Sequence, residues 1–176
     1  MCSKRRVWME NPNWLILLCG PPGVGKSTIG RLLADRTGAE LLSTERFKRR
    51  VYSRLLSQLE REMGKKGMVL EGTFYRSEWR EKIEELARYH KTPILTVLIK
   101  ASLQTCLRRD AQRERPVGEK GVRIIHAEFE EPEKPDLLID SEEVTPEQAV
   151  ERILRAARTK FGTSPAASES LPPPPR

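Results

Sequence analysis

Residues 20–27 read GPPGVGKS, and no other stretch restricts the fold of this chain so tightly. The spacing G-x-x-x-x-G-K-[ST] is met by Gly20, Gly25, Lys26 and Ser27. Glycines at those places let the backbone curl until several amide N–H groups face one hollow. The helix that follows adds its positive N-terminal end, so the hollow suits a diphosphate or triphosphate. The expected nucleotide-binding segment is Gly20, Pro21, Pro22, Gly23, Val24, Gly25, Lys26, Ser27 and Thr28. Lys26 is expected to reach the β- and γ-phosphates. The Ser27 hydroxyl is placed for Mg²⁺, with Thr28 a weaker candidate.

The setting separates this motif from a glycine-rich turn without a ligand. Residues 14–19 (WLILLC) form a short apolar run of the kind found in buried parallel strands. Beyond the loop, Ile29, Leu32 and Leu33 recur at helical spacing, and Gly38 stands where that helix should stop. Strand, glycine loop and helix follow in the required order.

Later segments extend the alternation. Strands are expected at 39–42, 68–71, 94–99 and 136–139, and helices at 46–63, at 77–90, from 102 onward and after Thr145. Thr145-Pro146-Glu147-Gln148 is a capping box with proline in the first turn. Residues 110–135 carry many charges and no clean period. The pattern predicts an α/β chain with a five-stranded parallel sheet, helices on both faces, and a ligand at the carboxyl ends of the strands.

Composition bounds the partners. The 176 residues suit one domain, residues 13–161, between a basic arm (1–12) and a Pro/Ser-rich tail (162–176) expected to be disordered. The net charge of +7 is compatible with an anionic partner, a nucleic acid included. Three cysteines without C-x-x-C spacing and two histidines argue against zinc. The odd cysteine count and the absence of a recognisable leader predict reduced thiols and a cytoplasmic location. No run is long enough to span a membrane.

Polar residues follow the strands where chemistry would occur. Glu45 is the candidate base for an acceptor hydroxyl, with Lys48 and Arg49 about a turn further along a helix as candidate anion contacts. Glu71 ends the third strand and is a candidate for the water shell of Mg²⁺, or else a structural carboxylate. Arg76, a candidate substrate contact, and Arg80 either grip substrate or anchor the helix. Arg109 and Arg113, four apart on one expected helical face, and Arg115 are candidates for phosphate contact in a lid over about 108–128. His126 and Asp140 read as structural.

With these residues in view, the chain resembles the small P-loop kinases over residues 14–160. The matching pieces are GPPGVGKST, STERFKR, VLEGTFYRSEWR, CLRRDAQRERP and FEEPEKPDLLID. The resemblance is to the group of polynucleotide 5′-hydroxyl kinases, adenylylsulfate kinases and seryl-tRNA kinases. It implies the P-loop nucleoside-triphosphate hydrolase fold of nucleoside-kinase type, with a lid. Glu45 and Lys48 stand where that group usually has Asp and Arg, and Glu71 where its polynucleotide members have Asp. GVRIIHAEFE replaces the Phe-Thr-Gly signature of adenylylsulfate kinases.

The resulting expectation is an ATP- and Mg²⁺-dependent transfer of the γ-phosphoryl group to a hydroxyl. A polynucleotide or RNA-linked hydroxyl is the first acceptor expected, and a small metabolite such as adenylylsulfate the alternative. A nucleotide-binding regulatory module with slow hydrolysis is the third reading.

Overall fold

The computed structural model describes residues 13–162; the basic arm and residues 163–176 of the tail lie outside the described residues. The sheet is built from β1 (Leu15–Cys19), β2 (Glu40–Ser43), β3 (Met68–Glu71), β4 (Ile94–Lys100) and β5 (Leu137–Asp140). All neighbours are parallel, in the order β2-β3-β1-β4-β5. Every expected strand is present, with boundaries moved by no more than a residue. The α/β expectation of a five-stranded parallel sheet covered on both faces holds.

Alternation along the strands divides the core in two. Ile16, Leu18, Val97 and Ile99 face α1 (Lys26–Thr37) and α6 (Pro146–Phe161). Leu15, Leu17, Leu70 and Leu98 face α2 (Val51–Glu62) and α3 (Ser77–Tyr89). Central β1 is buried along its whole length, so its apolar run is two-sided and not alternating. The chain leaves β1 between strands reached in opposite directions, which opens a crevice at its carboxyl end. Register places Leu18 and Ser43 level with Glu71 at that edge.

Several local expectations are met for the stated reasons. The Gly38 N–H closes α1 on the Ala34 carbonyl (2.8 Å). The capping box before α6 is complete: Gln148 N–H donates to Thr145 Oγ1 (3.2 Å), and Thr145 N–H to Gln148 Oε1 (3.0 Å).

Two expectations require correction. The helix expected over 46–63 begins only at Val51, after a short 3-10 turn at Thr44–Arg46. Arg50 is left-handed (φ 48°) and breaks the run. Lys48, Arg49 and Arg50 would otherwise stack three cations in a first turn, where the helix is already positive. The second correction lies in 110–135. After α4 (Leu103–Ala111) comes a further helix, α5 (Glu119–Glu128), seated through buried Val122. Its charged surroundings obscure the helical period.

Gly67 shows how tightly β3 enters the core. A Cβ there would lie 2.2 Å from the indole ring of Trp14, itself 4% exposed. Gly67→Ala should therefore overpack this site at a cost of about 1–3 kcal/mol. In thermal denaturation the midpoint should fall by several degrees. An unchanged midpoint would show that the indole does not occupy this position.

Candidate active site

The loop between β1 and α1 sits at the crevice and is closed in from behind by α4. Gly23 (φ 88°) requires glycine twice over: its backbone is left-handed, and a Cβ would meet the Cys106 carbonyl at 2.5 Å. Pro21, Pro22 and Val24 are buried, so the loop is wedged in place.

Lys26 is 8% exposed, and its ammonium donates to the Pro21 carbonyl oxygen (2.8 Å). Burial pushes it down to a pKa of about 8, with the Glu71 carboxylate opposing the shift. Glu71 is itself buried at 3%. The Ser27 hydroxyl lies 3.3 Å from each Glu71 carboxylate oxygen and donates between them. Ser27 and Glu71 thus form a hard-oxygen pair at the foot of the loop, the donor chemistry that suits Mg²⁺. Among the described residues no group of three or more His, Cys, Asp or Glu side chains converges. A cation here would need phosphate oxygens and waters as its remaining ligands, which is how Mg²⁺ is usually held.

A cleft of about 590 Å³ extends from this loop. Residues 22–28 form its floor, Glu45 and Thr73 stand on one rim, and Arg109 and Arg113 stand on the other. A smaller cavity of about 290 Å³ opens beside it and shares Ser27, Glu45 and Glu71.

The far wall has no signature in the local sequence pattern. Ser141, Val144, Thr145, Pro146 and Ala149 come from the turn after β5 and the start of α6. The rule that ligands meet strand ends, extended to β5, would have found Ser141. Two contacts fix this wall. The Glu142 carboxylate accepts from Ser102 N–H (2.6 Å), Ser102 Oγ (3.0 Å) and Thr105 Oγ1 (2.5 Å). Those bonds, with Thr105 first, hold its carboxyl below the usual range. Arg109 donates to Ser141 Oγ (2.8 Å), to the Ser141 carbonyl (2.9 Å) and, more weakly, to the Gly23 carbonyl (3.4 Å).

Arg109 and Arg113 do not share a helical face as expected. α4 ends at Ala111, and Arg113 lies in the turn beyond, its N–H on the Asp110 carbonyl (3.0 Å). Both nevertheless reach the cleft. The Arg113 guanidinium contacts the Glu45 carboxylate across it. Asp110, 2% exposed, accepts from the N–H groups of Val117 (3.1 Å) and Gly118 (2.9 Å), which ties α4 to α5.

Four other candidates are not brought to the cleft. Lys48 and Arg49 are exposed in the bend before α2, and Arg115 is exposed beyond α4. None of them lines either cavity. Arg76 pairs instead with Glu130 (3.5 Å). Arg80 is buried and donates to the Phe74 carbonyl, so it anchors α3. His126 lies near the Ala101 carbonyl (3.4 Å), and Asp140 accepts from Glu142 N–H (2.9 Å). Cys19 and Cys106 are unpaired and buried, and burial pushes the Cys19 thiol up to about 11. No described helix is long and apolar enough to cross a membrane.

A family model described as an AAA domain matches residues 15–132. The chain belongs to this AAA-domain family. A probable adenylyl-sulfate kinase of Pyrococcus abyssi (strain GE5 / Orsay) is 26% identical over 163 residues, covering 81% of this chain and 94% of that protein. The structure of the Mycobacterium tuberculosis APS kinase in complex with AMPPNP and APS aligns with a TM-score of 0.66 at 15% identity. It covers 84% of this chain and 98% of its own. A gluconokinase from Sinorhizobium meliloti 1021 aligns at 0.68 and 16% identity, over 86% and 95% of the two chains. A shikimate kinase from Acinetobacter baumannii, in complex with shikimate, aligns at 0.58 and 18%, over 88% and 97%. These proteins are kinases, and the chain shares their fold.

The buried ammonium yields a direct expectation. In the nucleotide-free protein the Lys26 side chain should titrate near pH 8, well below the roughly 10.4 of a solvated lysine. NMR of its side-chain carbon and nitrogen reads this. A midpoint above pH 10 would show an ammonium bathed in water.

Proposed function

We propose that the protein is an ATP- and Mg²⁺-dependent phosphotransferase acting on the hydroxyl of a small molecule. The observation that carries this reading is the single cleft that joins the phosphate loop to Glu45 and Arg113. The relative and the solved neighbours named above are small-molecule kinases, which supports the alternative acceptor class over the polynucleotide expected first. Lys48, Arg49, Arg76 and Arg115, four of the expected anion contacts, do not line the cleft.

In this reading the amides of residues 23–28 hold the β- and γ-phosphates. Lys26 exchanges its bond to the Pro21 carbonyl for phosphate oxygens. Ser27 and Glu71 would hold Mg²⁺ at the foot of the loop, where its charge would offset that of the phosphates. Glu45 accepts the proton of the acceptor hydroxyl as that oxygen attacks the γ-phosphorus, and ADP leaves with the bridging oxygen. Arg113 offers its guanidinium to the equatorial oxygens of the moving group. Arg109 keeps the far wall in register with the loop. The α4–α5 segment acts as the lid and limits access of water.

Lys26 makes nucleotide affinity pH-dependent. Polyphosphate favours the charged amine, so binding raises its pKa from the free value of about 8. Affinity for Mg·AMPPNP should then be level below pH 8 and fall as pH rises through it. Calorimetry from pH 7 to 9.5 tests this, and a flat profile would remove Lys26 from the phosphate site.

The function itself is tested by supplying γ-labelled ATP and Mg²⁺ with two acceptor pools. One contains small hydroxy acids and adenylylsulfate, the other 5′-hydroxyl oligonucleotides. Label should enter the small-molecule pool, and Lys26→Ala should reduce it at least about a hundredfold without unfolding the protein. Label confined to oligonucleotides, or phosphate release that depends on a protein partner, would contradict the proposal.

A further inference from the structure

Arg113 and Glu45 come from opposite rims of the cleft, one from the turn after α4 and the other from the 3-10 turn after β2. They nevertheless touch: Arg113 Nη2 donates to Glu45 Oε1. Each end of the contact is anchored. The Glu45 N–H is held by Ser43 Oγ (3.1 Å). Arg113 Nη1 lies 3.7 Å from the Asp110 carboxylate, which is buried and fixed by two backbone N–H groups. Asp110 thus stands beside one terminal nitrogen of the guanidinium while the other reaches Glu45.

This pairing sets two demands against one another. A guanidinium edge engaged with a carboxylate cannot offer the same N–H groups to a phosphoryl oxygen. A carboxylate held by arginine is a poor acceptor for an alcohol proton. Both charges also act at the phosphate loop, since Arg113 pushes the Lys26 pKa down and Glu45 pushes it up.

We propose that Glu45 and Arg113 occupy one another until a nucleotide draws Arg113 to its phosphates, and that this exchange frees Glu45 for the acceptor alcohol. Arg113 is then a positioning residue for Glu45 as well as a phosphate contact. Nucleotide binds first and promotes acceptor binding. By thermodynamic reciprocity, an acceptor seated on Glu45 favours nucleotide in return. The inference rests on the kinase reading, but it adds a competition within the site that the reading does not require.

The competition has an unusual consequence. Removing the carboxylate assigned to proton abstraction should tighten nucleotide binding, because Arg113 no longer has to be detached. The pair is partly exposed, at 59% for the Glu45 side chain and 31% for Arg113, so the expected gain is roughly two- to fivefold. Deleting a negative charge beside a polyphosphate also helps without any exchange, and a double-mutant cycle separates the two effects.

Calorimetry with Mg·AMPPNP, and no acceptor, should be run on the wild-type protein, Glu45→Gln, Arg113→Gln and the double variant. Glu45→Ala replaces Glu45→Gln if the latter does not fold. Glu45→Gln should bind more tightly than wild type, and the gain should shrink when Arg113 is already absent. Equal or weaker binding by Glu45→Gln, or the same gain in both backgrounds, overturns the exchange while leaving the kinase reading intact. No binding by the wild-type protein overturns both.

Discussion

A charged amine enclosed at the end of the central strand is the constraint around which the rest is arranged. The Lys26 ammonium is bonded to the Pro21 carbonyl in surroundings that lower its pKa to about 8. A buried cation is costly unless hydrogen-bonded or paired. Here Glu71 stands close enough to offset part of that cost, and Glu71 in turn receives the Ser27 hydroxyl. The strand register that levels Glu71 with Leu18 therefore does electrostatic as well as packing work.

The surrounding framework keeps that arrangement from collapsing onto itself. Glu142 ties the wall after β5 to the start of α4, and Arg109 ties the same wall to the end of α4 and to Gly23. Cys106 presses on Gly23 from α4. Asp110 joins α4 to α5 by receiving the N–H groups just before α5. Helices α4 and α5 are thus held by these contacts, and Arg113 reaches across the cleft to Glu45.

Much of this was legible in the amino-acid order. The phosphate loop, each strand and the capped start of α6 follow from short-range rules, because the burial of apolar strands and the capping of helix ends are local in sequence. Glu45, Glu71, Arg109 and Arg113, singled out by their places after strands or in the segment beyond β4, line one cleft. The failures have physical causes. Helical spacing could not reveal that Arg50 turns left-handed, which takes Lys48 and Arg49 off the expected face. The charge density of 110–135 concealed α5, whose seat on Val122 needs a partner distant in sequence. Arg76 has a carboxylate partner in Glu130, 54 residues away, that no local pattern predicts. The role of Ser141 and Glu142 in shaping the far wall depends likewise on a partner helix some 40 residues earlier.

In the proposed reaction Lys26 trades a backbone carbonyl for phosphate. A crystal structure of the protein with Mg·AMPPNP measures this most directly. The polyphosphate should lie on the amides of residues 23–28, with the Lys26 ammonium moved from the Pro21 carbonyl to phosphate oxygens and the metal beside Ser27. A polyphosphate bound elsewhere, or one in the loop with Lys26 still on Pro21, would contradict the proposal.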